Sequence, residues 1–413
     1  MRIAIATFHR NLIGGTEKYL QVMLPALIEQ NHDVALLHEW PLDPERERID
    51  RPGALPDAWC LQELGLPAIL RLLSDWEPDI VFDQGLQDAS LETALLDAFP
   101  TVLFAHNYYG TCGSGQKCHS FPRVQPCQRR FGPACLALHY PRHCGALDPR
   151  EAWRTFRLQS HRHSCLPKFR SILVASTHMR DEFLRNGISP DKVHLVPLPA
   201  EDTVSDWNRP EPRPAPSRIL MISRLTPLKG GHYLVPAVAR ASRVLKRPLQ
   251  LTIAGDGPDQ SKLQRLATTC DVAVEFTGWV ARERKQQLLR DTDLLAVPSL
   301  WPEPFGLVGL EAGQVGVPAV GYRVGGVPDW LLGGQTGEIA PGDPPSIEGL
   351  ADAIVRALSD ERHYQALCDG AWRYWRKFSI AAHMDQLQPL LARAQAESRK
   401  PSWRAVETTS QGS

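Results

Sequence analysis

Short, nearly continuous apolar runs recur along the chain at residues 2–7, 33–38, 79–82, 101–105, 171–175 and 192–196. They return at 218–222, 249–254, 272–276, 294–297 and 318–321. Unbroken runs of this length suit strands buried on both faces, as in parallel sheets. Between them the apolar residues fall at helical spacing. After the first run they stand at Tyr19, Leu20, Met23, Leu24 and Leu27, and helical stretches cover 61–74, 90–99, 148–166, 177–186, 281–290, 347–358 and 362–378. Strands alternating with helices through both halves predict an α/β protein with two such units.

The alternation breaks twice. Trp207 to Ser217 carries four prolines between Pro210 and Pro216, which makes a stiff, extended linker. This linker, 207–217, divides a first domain, 1–206, from a second, 218–378. A C-terminal helix is expected within 379–397, over Met384 to Ala396, and the polar tail 398–413 is expected to be disordered. The other break is an insertion in the first domain at about 111–148. It holds Cys112, Cys118, Cys127, Cys135 and Cys144, with His119, His139 and His143 among them. The gaps are not those of paired C-x2-C zinc modules, so a structural metal, redox-linked thiols and ordinary thiols all stay open.

Composition adds exclusions. At 413 residues, 43% hydrophobic and 22% charged, the chain has an ordinary globular make-up. Its net charge is zero, so nothing attracts it generally to nucleic acid. No apolar window approaches a membrane span, and Ile3 to Phe8 is too short for the core of a signal peptide. The expectation is a cytoplasmic protein with reduced or liganded thiols. Charge is nevertheless uneven. Residues 111–170 hold eleven Lys or Arg against Asp148 and Glu151, a balance of +9. That asymmetry suits an anionic acceptor or peripheral contact with an anionic membrane face, although a solvated surface would look the same.

Candidate chemistry gathers where the runs end. After 294–297, Pro302 and Pro304 exclude helix and hold Glu303 in a stiff loop. Helix becomes possible from Phe305, and Gly306, Leu307 and Leu310 lead to Glu311. A strand, a Pro-fixed carboxylate and a helix whose first N–H groups face the loop make a receiver for anions and hydroxyls. An exposed loop acid and a solvated helix acid would show the same spacing. After 218–222 come Arg224 and Lys229, five apart, with Gly230 at the turn into a helix. A planar fork and a point charge so placed suit a diphosphate. Gly14-Gly15 lies between the first strand and first helix, where backbone can approach a ligand closely. His106 follows the strand 101–105 and would share the same sheet edge. G-x-G-x-x-G and the P-loop motif are both absent from the sequence, which disfavours a nicotinamide enzyme.

In combination, the Gly14-Gly15 loop, His106, the Arg224…Lys229-Gly230 clamp, Gly255-Asp256-Gly257-Pro258 and the Glu303…Glu311 pair resemble the motifs of glycosyltransferase family 4. The resemblance covers roughly residues 1–390 and is weakest in the cysteine-rich insertion. It implies the GT-B fold, two Rossmann-like domains facing across a cleft. It implies a retaining enzyme moving a hexose-type sugar from a nucleotide-sugar to a glycan or lipid-linked acceptor, in polysaccharide assembly. Glu303 and His106 would then be the catalytic pair, Glu303 on sugar hydroxyls and His106 facing sugar or acceptor. Gly14, Gly15, Arg224, Lys229, Phe305, Gly306 and Leu307 would bind the donor, and Glu311 would accept from its ribose hydroxyls. No cofactor or metal is expected, because Arg224, Lys229 and a helix N-terminus can meet the leaving diphosphate. The nearest D-x-D string, Asp291-Thr292-Asp293, runs into a strand. A UDP-sugar is favoured over a GDP-sugar. Asp329 stands where family members commonly carry Glu. A GT-B epimerase or hydrolase would need no acceptor, and a non-catalytic sugar-nucleotide sensor need not keep all four of Arg224, Lys229, Glu303 and Glu311.

Overall fold

Seven strands of the first half pair in parallel in the computed structural model, which describes residues 1–51, 53, 55, 57–200 and 215–397. They are β1 (Arg2–Thr7), β2 (Asp33–His38), β3 (Ala58–Cys60), β4 (Ile80–Asp83), β5 (Thr101–Ala105), β6 (Ser171–Val174) and β7 (Val193–Leu195). Their order across the sheet is β3-β2-β1-β4-β5-β6-β7. Six more form the second sheet: β8 (Arg218–Ile222), β9 (Gln250–Ala254), β10 (Val274–Gly278), β11 (Leu294–Val297), β12 (Ala319–Tyr322) and β13 (Gly337–Ala340). Their order is β10-β9-β8-β11-β12-β13, again all parallel. In each sheet the order reverses beside its first strand, at β1/β4 and at β8/β11. Crevices open at such switch points, outside the carboxyl ends of the strands.

The unbroken apolar runs are buried, as that pattern requires: Ile3, Ile5, Phe82, Val102 and Phe104 in the first sheet, Leu220, Ile253, Leu295 and Val320 in the second. Two short strands escape the periodicity. Ala58–Cys60 and Gly337–Ala340 sit at sheet edges, where three or four residues leave no readable run. The expected helix over 61–74 is two, Leu61–Leu64 and Leu66–Trp76, because Gly65 turns between them at φ +76°. The second expected break, the linker, lies largely outside the described residues, and the tail 398–413 lies wholly outside them.

The last helix, Ile380–Ala396, returns to the first domain and packs on the helix Gly15–Glu29 and on β4 and β5. Met384, Leu387 and Leu391 are buried there. His383 fixes the crossing. Its Nδ1 donates to the Pro197 carbonyl at 2.7 Å, so Nε2 accepts from Tyr19 Oη at 3.0 Å. Burial pushes this imidazole down to about 4, so it is neutral, as both bonds require.

Candidate active site

The site is assembled by backbone contacts that only glycine permits. Past β8, Ser223–Thr226 turns over the sheet edge. Gly255 and Gly257, at φ +132° and +156°, bring the loop after β9 against that turn, where a Cβ would overlap the Ser223 and Leu225 carbonyl oxygens. Leu225 N–H donates to Asp256 O at 2.7 Å across the same contact. A 3-10 turn, Pro227–Lys229, follows, and Gly230 at φ +71° opens the helix Gly231–Leu245. A Cβ on Gly230 would overlap the Pro298 carbonyl oxygen. The missing side chain thus presses Lys229 against the loop after β11.

Lys229 Nζ meets Glu303 Oε1 at 2.5 Å, and Ser299 Oγ donates to the same oxygen at 2.7 Å. Lys229 also stands 5.1 Å from the Trp301 ring centre. Glu303 is buried at 9% exposure, and Gly326 N–H holds its carbonyl at 2.7 Å. Oε2 has no hydrogen bond among the described residues. Neither does the exposed Arg224 guanidinium. Arg224, Lys229, Ser299, Glu303, Gly306 and Leu307 line one cavity of about 230 Å³. The helix Leu307–Gln314 starts there from Gly306 at φ +97°, so its first N–H groups, which have no intrahelical partner, face the cavity.

Glu311 lies outside that cavity. It lines a smaller hollow with Lys18, Tyr19 and Leu307. Its Oε1 accepts from Lys18 Nζ and Lys285 Nζ, each at 2.7 Å, and Oε2 again has no hydrogen bond among the described residues. Burial raises this carboxyl, but Lys285 and Lys18 outweigh it and hold Glu311 below the usual range. Lys285 is itself lowered, by burial first, with Lys18 adding repulsion. Two cations therefore share one carboxylate oxygen beside the hollow.

The first domain supplies the opposite rim. Gly14 and Gly15 are exposed, and Gly14 N–H donates to Glu17 Oε2 at 2.9 Å. A Cβ on Gly15 would meet nothing within 4 Å, so protein packing does not demand glycine there. His106 stacks on Phe104 at 4.9 Å and bonds Gln84 Oε1 through Nε2 at 2.9 Å. Burial pushes it down to about 3, so it is a neutral ring and no cation.

Phe305 departs from expectation. Its side chain is 1% exposed and packs edge-on against Phe378 at 5.5 Å, while its carbonyl accepts from Trp330 Nε1 at 2.7 Å. It positions the loop from behind and offers a donor no surface. The basic span is also smaller than its formal charge. Lys117 is buried in an ion pair with Glu182 at 2.7 Å. Arg162, also buried, donates to Leu86 O at 2.7 Å and lies 4.2 Å over the Tyr109 ring. Asp293 accepts from Ser217 and Arg218 N–H at 2.8 and 2.9 Å, a structural use of the D-x-D string.

Several participants escape sequence reasoning. Ser299 and Trp301 were visible in the motif but carried no signal of their own. Trp301 Nε1 donates to Gln116 O, in the insertion, at 2.5 Å. Lys18 and Lys285 have no local mark, because their partner is hundreds of residues away or in another element. Asp329 accepts from Thr177 N–H at 2.6 Å. The shorter acid thereby caps the first-domain helix Thr177–Arg185 across the domain boundary.

Facing doubly wound sheets with cations and a helix N-terminus at the switch point define the GT-B class. HepE from Anabaena, solved in complex with UDP, shares the fold with a TM-score of 0.67 at 18% identity, over 95% of this chain and 100% of that one. A family model described as Glycosyltransferase Family 4 matches residues 13–202, and one described as Glycosyl transferases group 1 matches 206–371. The two matches span both domains, and the chain belongs to glycosyltransferase family 4. D-inositol 3-phosphate glycosyltransferase of Corynebacterium efficiens is 32% identical over 216 residues, 50% of each chain. Alpha-D-kanosaminyltransferase of Streptomyces kanamyceticus is 30% identical over 254 residues, 58% of this chain and 63% of that one. The chain spans about half the length of the curated relatives it matches.

Proposed function

We propose that the protein is a retaining glycosyltransferase that moves a hexose-type sugar from a UDP-sugar to a glycan or lipid-linked acceptor. The observation that carries this reading is the Lys229–Glu303 contact beside an Arg224 guanidinium that has no hydrogen bond among the described residues. Arg224 and Lys229 meet the donor diphosphate, and the start of the helix Leu307–Gln314 adds its free N–H groups. Charge growing on the leaving diphosphate then falls on cations already in place. Both site carboxylates are bonded to protein through Oε1, and among the described residues Oε2 of each carries no hydrogen bond. In this reading Glu303 Oε2 takes sugar hydroxyls and sets the ring, and Glu311 Oε2 takes the ribose.

The leaving phosphate itself takes the proton of the acceptor hydroxyl. His106, neutral and tied to Gln84, lines the acceptor side as a hydrogen-bonding surface rather than as a base. The structure of HepE with UDP supports the choice of base. The test is a panel of UDP- and GDP-sugars with EDTA present, scored by nucleoside diphosphate release with and without a polyprenyl-linked acceptor. Release that needs both a UDP-sugar and the acceptor is the expected result. Donor consumption without acceptor would make the protein a hydrolase or epimerase, and tight binding without turnover would make it a sensor.

A further inference from the structure

We propose that Cys112, Cys127, Cys135 and Cys144 together ligate a thiolate-bound metal centre that organises the insertion beside the cleft. The four come from four separate stretches, and each adjoins one turn, 112–117. Lys117 N–H donates to Cys112 Sγ at 3.3 Å within it. Lys117 O accepts Cys127 N–H at 2.8 Å. A Cβ on Gly113 would stand 3.3 Å from Cys135 Cβ, and one on Gly145, next to Cys144, would stand 2.9 Å from Ser114 Cβ. The turn needs positive φ at Gly115 (+72°) and at Lys117 (+54°) to fold this tightly. All four are half-buried, free thiols.

The fifth cysteine is excluded by strand geometry. Cys118–His119 and Gln125–Pro126 form an antiparallel ribbon in which Cys118 faces Pro126. Directly opposed side chains share a face, so the next residue, Cys127, points to the other face. Cys118 is 2% exposed and turns inward. Two histidines of the segment each have one ring nitrogen occupied by a backbone carbonyl. His139 Nε2 meets the Ala146 carbonyl at 2.7 Å and His119 Nδ1 the Phe121 carbonyl at 3.2 Å.

A metal takes cysteine ligands as thiolates, so four free thiols gathered round one turn form a single ligand set when one binds. Four thiolates about 2.3 Å from one zinc ion stand about 3.8 Å apart. Among the described residues, the group of three or more ligand atoms already within 4.8 Å of one another is Glu92, His161 and Cys165, so no three of the four sulfurs lie that close together. They either close on a zinc ion or span an iron–sulfur cluster, which sets of four cysteines also hold. Either centre fixes Gln116, whose carbonyl receives the Trp301 indole next to Glu303.

The test uses the full chain, purified under nitrogen without chelator, with zinc, iron and acid-labile sulfide measured per chain. Near-stoichiometric zinc without visible absorption, or iron with matching sulfide and a visible band, is the expected result, and the two arms tell the centres apart. Cys135→Ser and Cys144→Ser should lose the metal, whereas Cys118→Ala and Cys270→Ser should keep it. If the ligand variants fail to fold, a strong chelator on wild-type protein should still release metal and free four more thiols to a thiol reagent. Metal-free wild-type protein whose thiols react at once, or a mass showing disulfides among the four, would overturn the proposal. So would metal retained in both ligand variants.

Discussion

Arg224 and Lys229 look alike in the motif, but the structure gives them different burdens. Arg224 is exposed without a hydrogen bond among the described residues, while Lys229 neutralises a buried carboxylate. Arg224→Ala should lower turnover roughly ten- to a hundredfold, the loss of a charged hydrogen bond worth about 1.5–3 kcal/mol, with Tm unchanged. Lys229→Ala should lower turnover as much and also lower Tm, because Glu303 keeps only Ser299. Calorimetry that found equal Tm in both variants would remove the pairing from the stability account. Glu311 makes a pH prediction. Its folded pKa is depressed, so the stability it contributes is present above its unfolded value of about 4.3 and is lost as pH falls through the folded value. The Tm gap between wild type and Glu311→Gln should therefore be widest near neutrality and close below about pH 4. A gap that widened in acid would contradict the two-lysine pairing.

At the scale of elements, the catalytic loop is braced from behind by packing that its own sequence does not announce. The helix Leu307–Gln314 lies against Trp330, and a Cβ on Gly309 would overlap the indole ring. Trp330 is 3% exposed and holds the Phe305 carbonyl. Gly309→Ala should thus cost roughly 1–3 kcal/mol of stability through overpacking. It should also reduce turnover, since the helix start and Glu303 share that loop. Thermal melts would settle the first point, and an unchanged Tm would mean the indole repacks freely. The sequence placed this helix after Pro302 and Pro304, possible from Phe305, two residues before its start in the structure at Leu307. It misplaced Phe305 as a donor contact, because an aromatic residue between a proline and a glycine reads the same whether it faces ligand or core.

Across the whole molecule, the contacts that tie the halves together near the site include Lys18 to Glu311, Asp329 to Thr177, and Trp301 to Gln116. Each of these joins residues more than a hundred positions apart, and each borders the cleft. The basic span acts at this scale too. With Lys117 and Arg162 buried, its available charge rests on exposed residues such as Arg123, Arg129 and Arg130. Each contributes on the order of 1 kcal/mol near an anionic surface and is screened within a Debye length. The protein should therefore sediment with anionic but not zwitterionic vesicles at low salt, and Glu at all three positions should abolish this while sparing Tm. Equal partition onto both vesicle types would leave these charges as solvated surface.

The sequence by itself determined the α/β class, the two sheets, the order of most strands and helices, and the stretches that hold Arg224, Lys229 and Glu303. These follow from local physics: unbroken apolar runs, helical spacing, and prolines and glycines that restrict or free the backbone. Only the tertiary structure decided which of these groups meet. It joined Lys229 to Glu303 and left Arg224 at the mouth. It gave Glu311 to two lysines, turned Phe305 into the core and neutralised part of the basic span. It also gathered four cysteines at one turn. Those outcomes depend on contacts between residues far apart in the chain, set by sheet order and close backbone packing, and no local pattern records which distant partner a side chain will find.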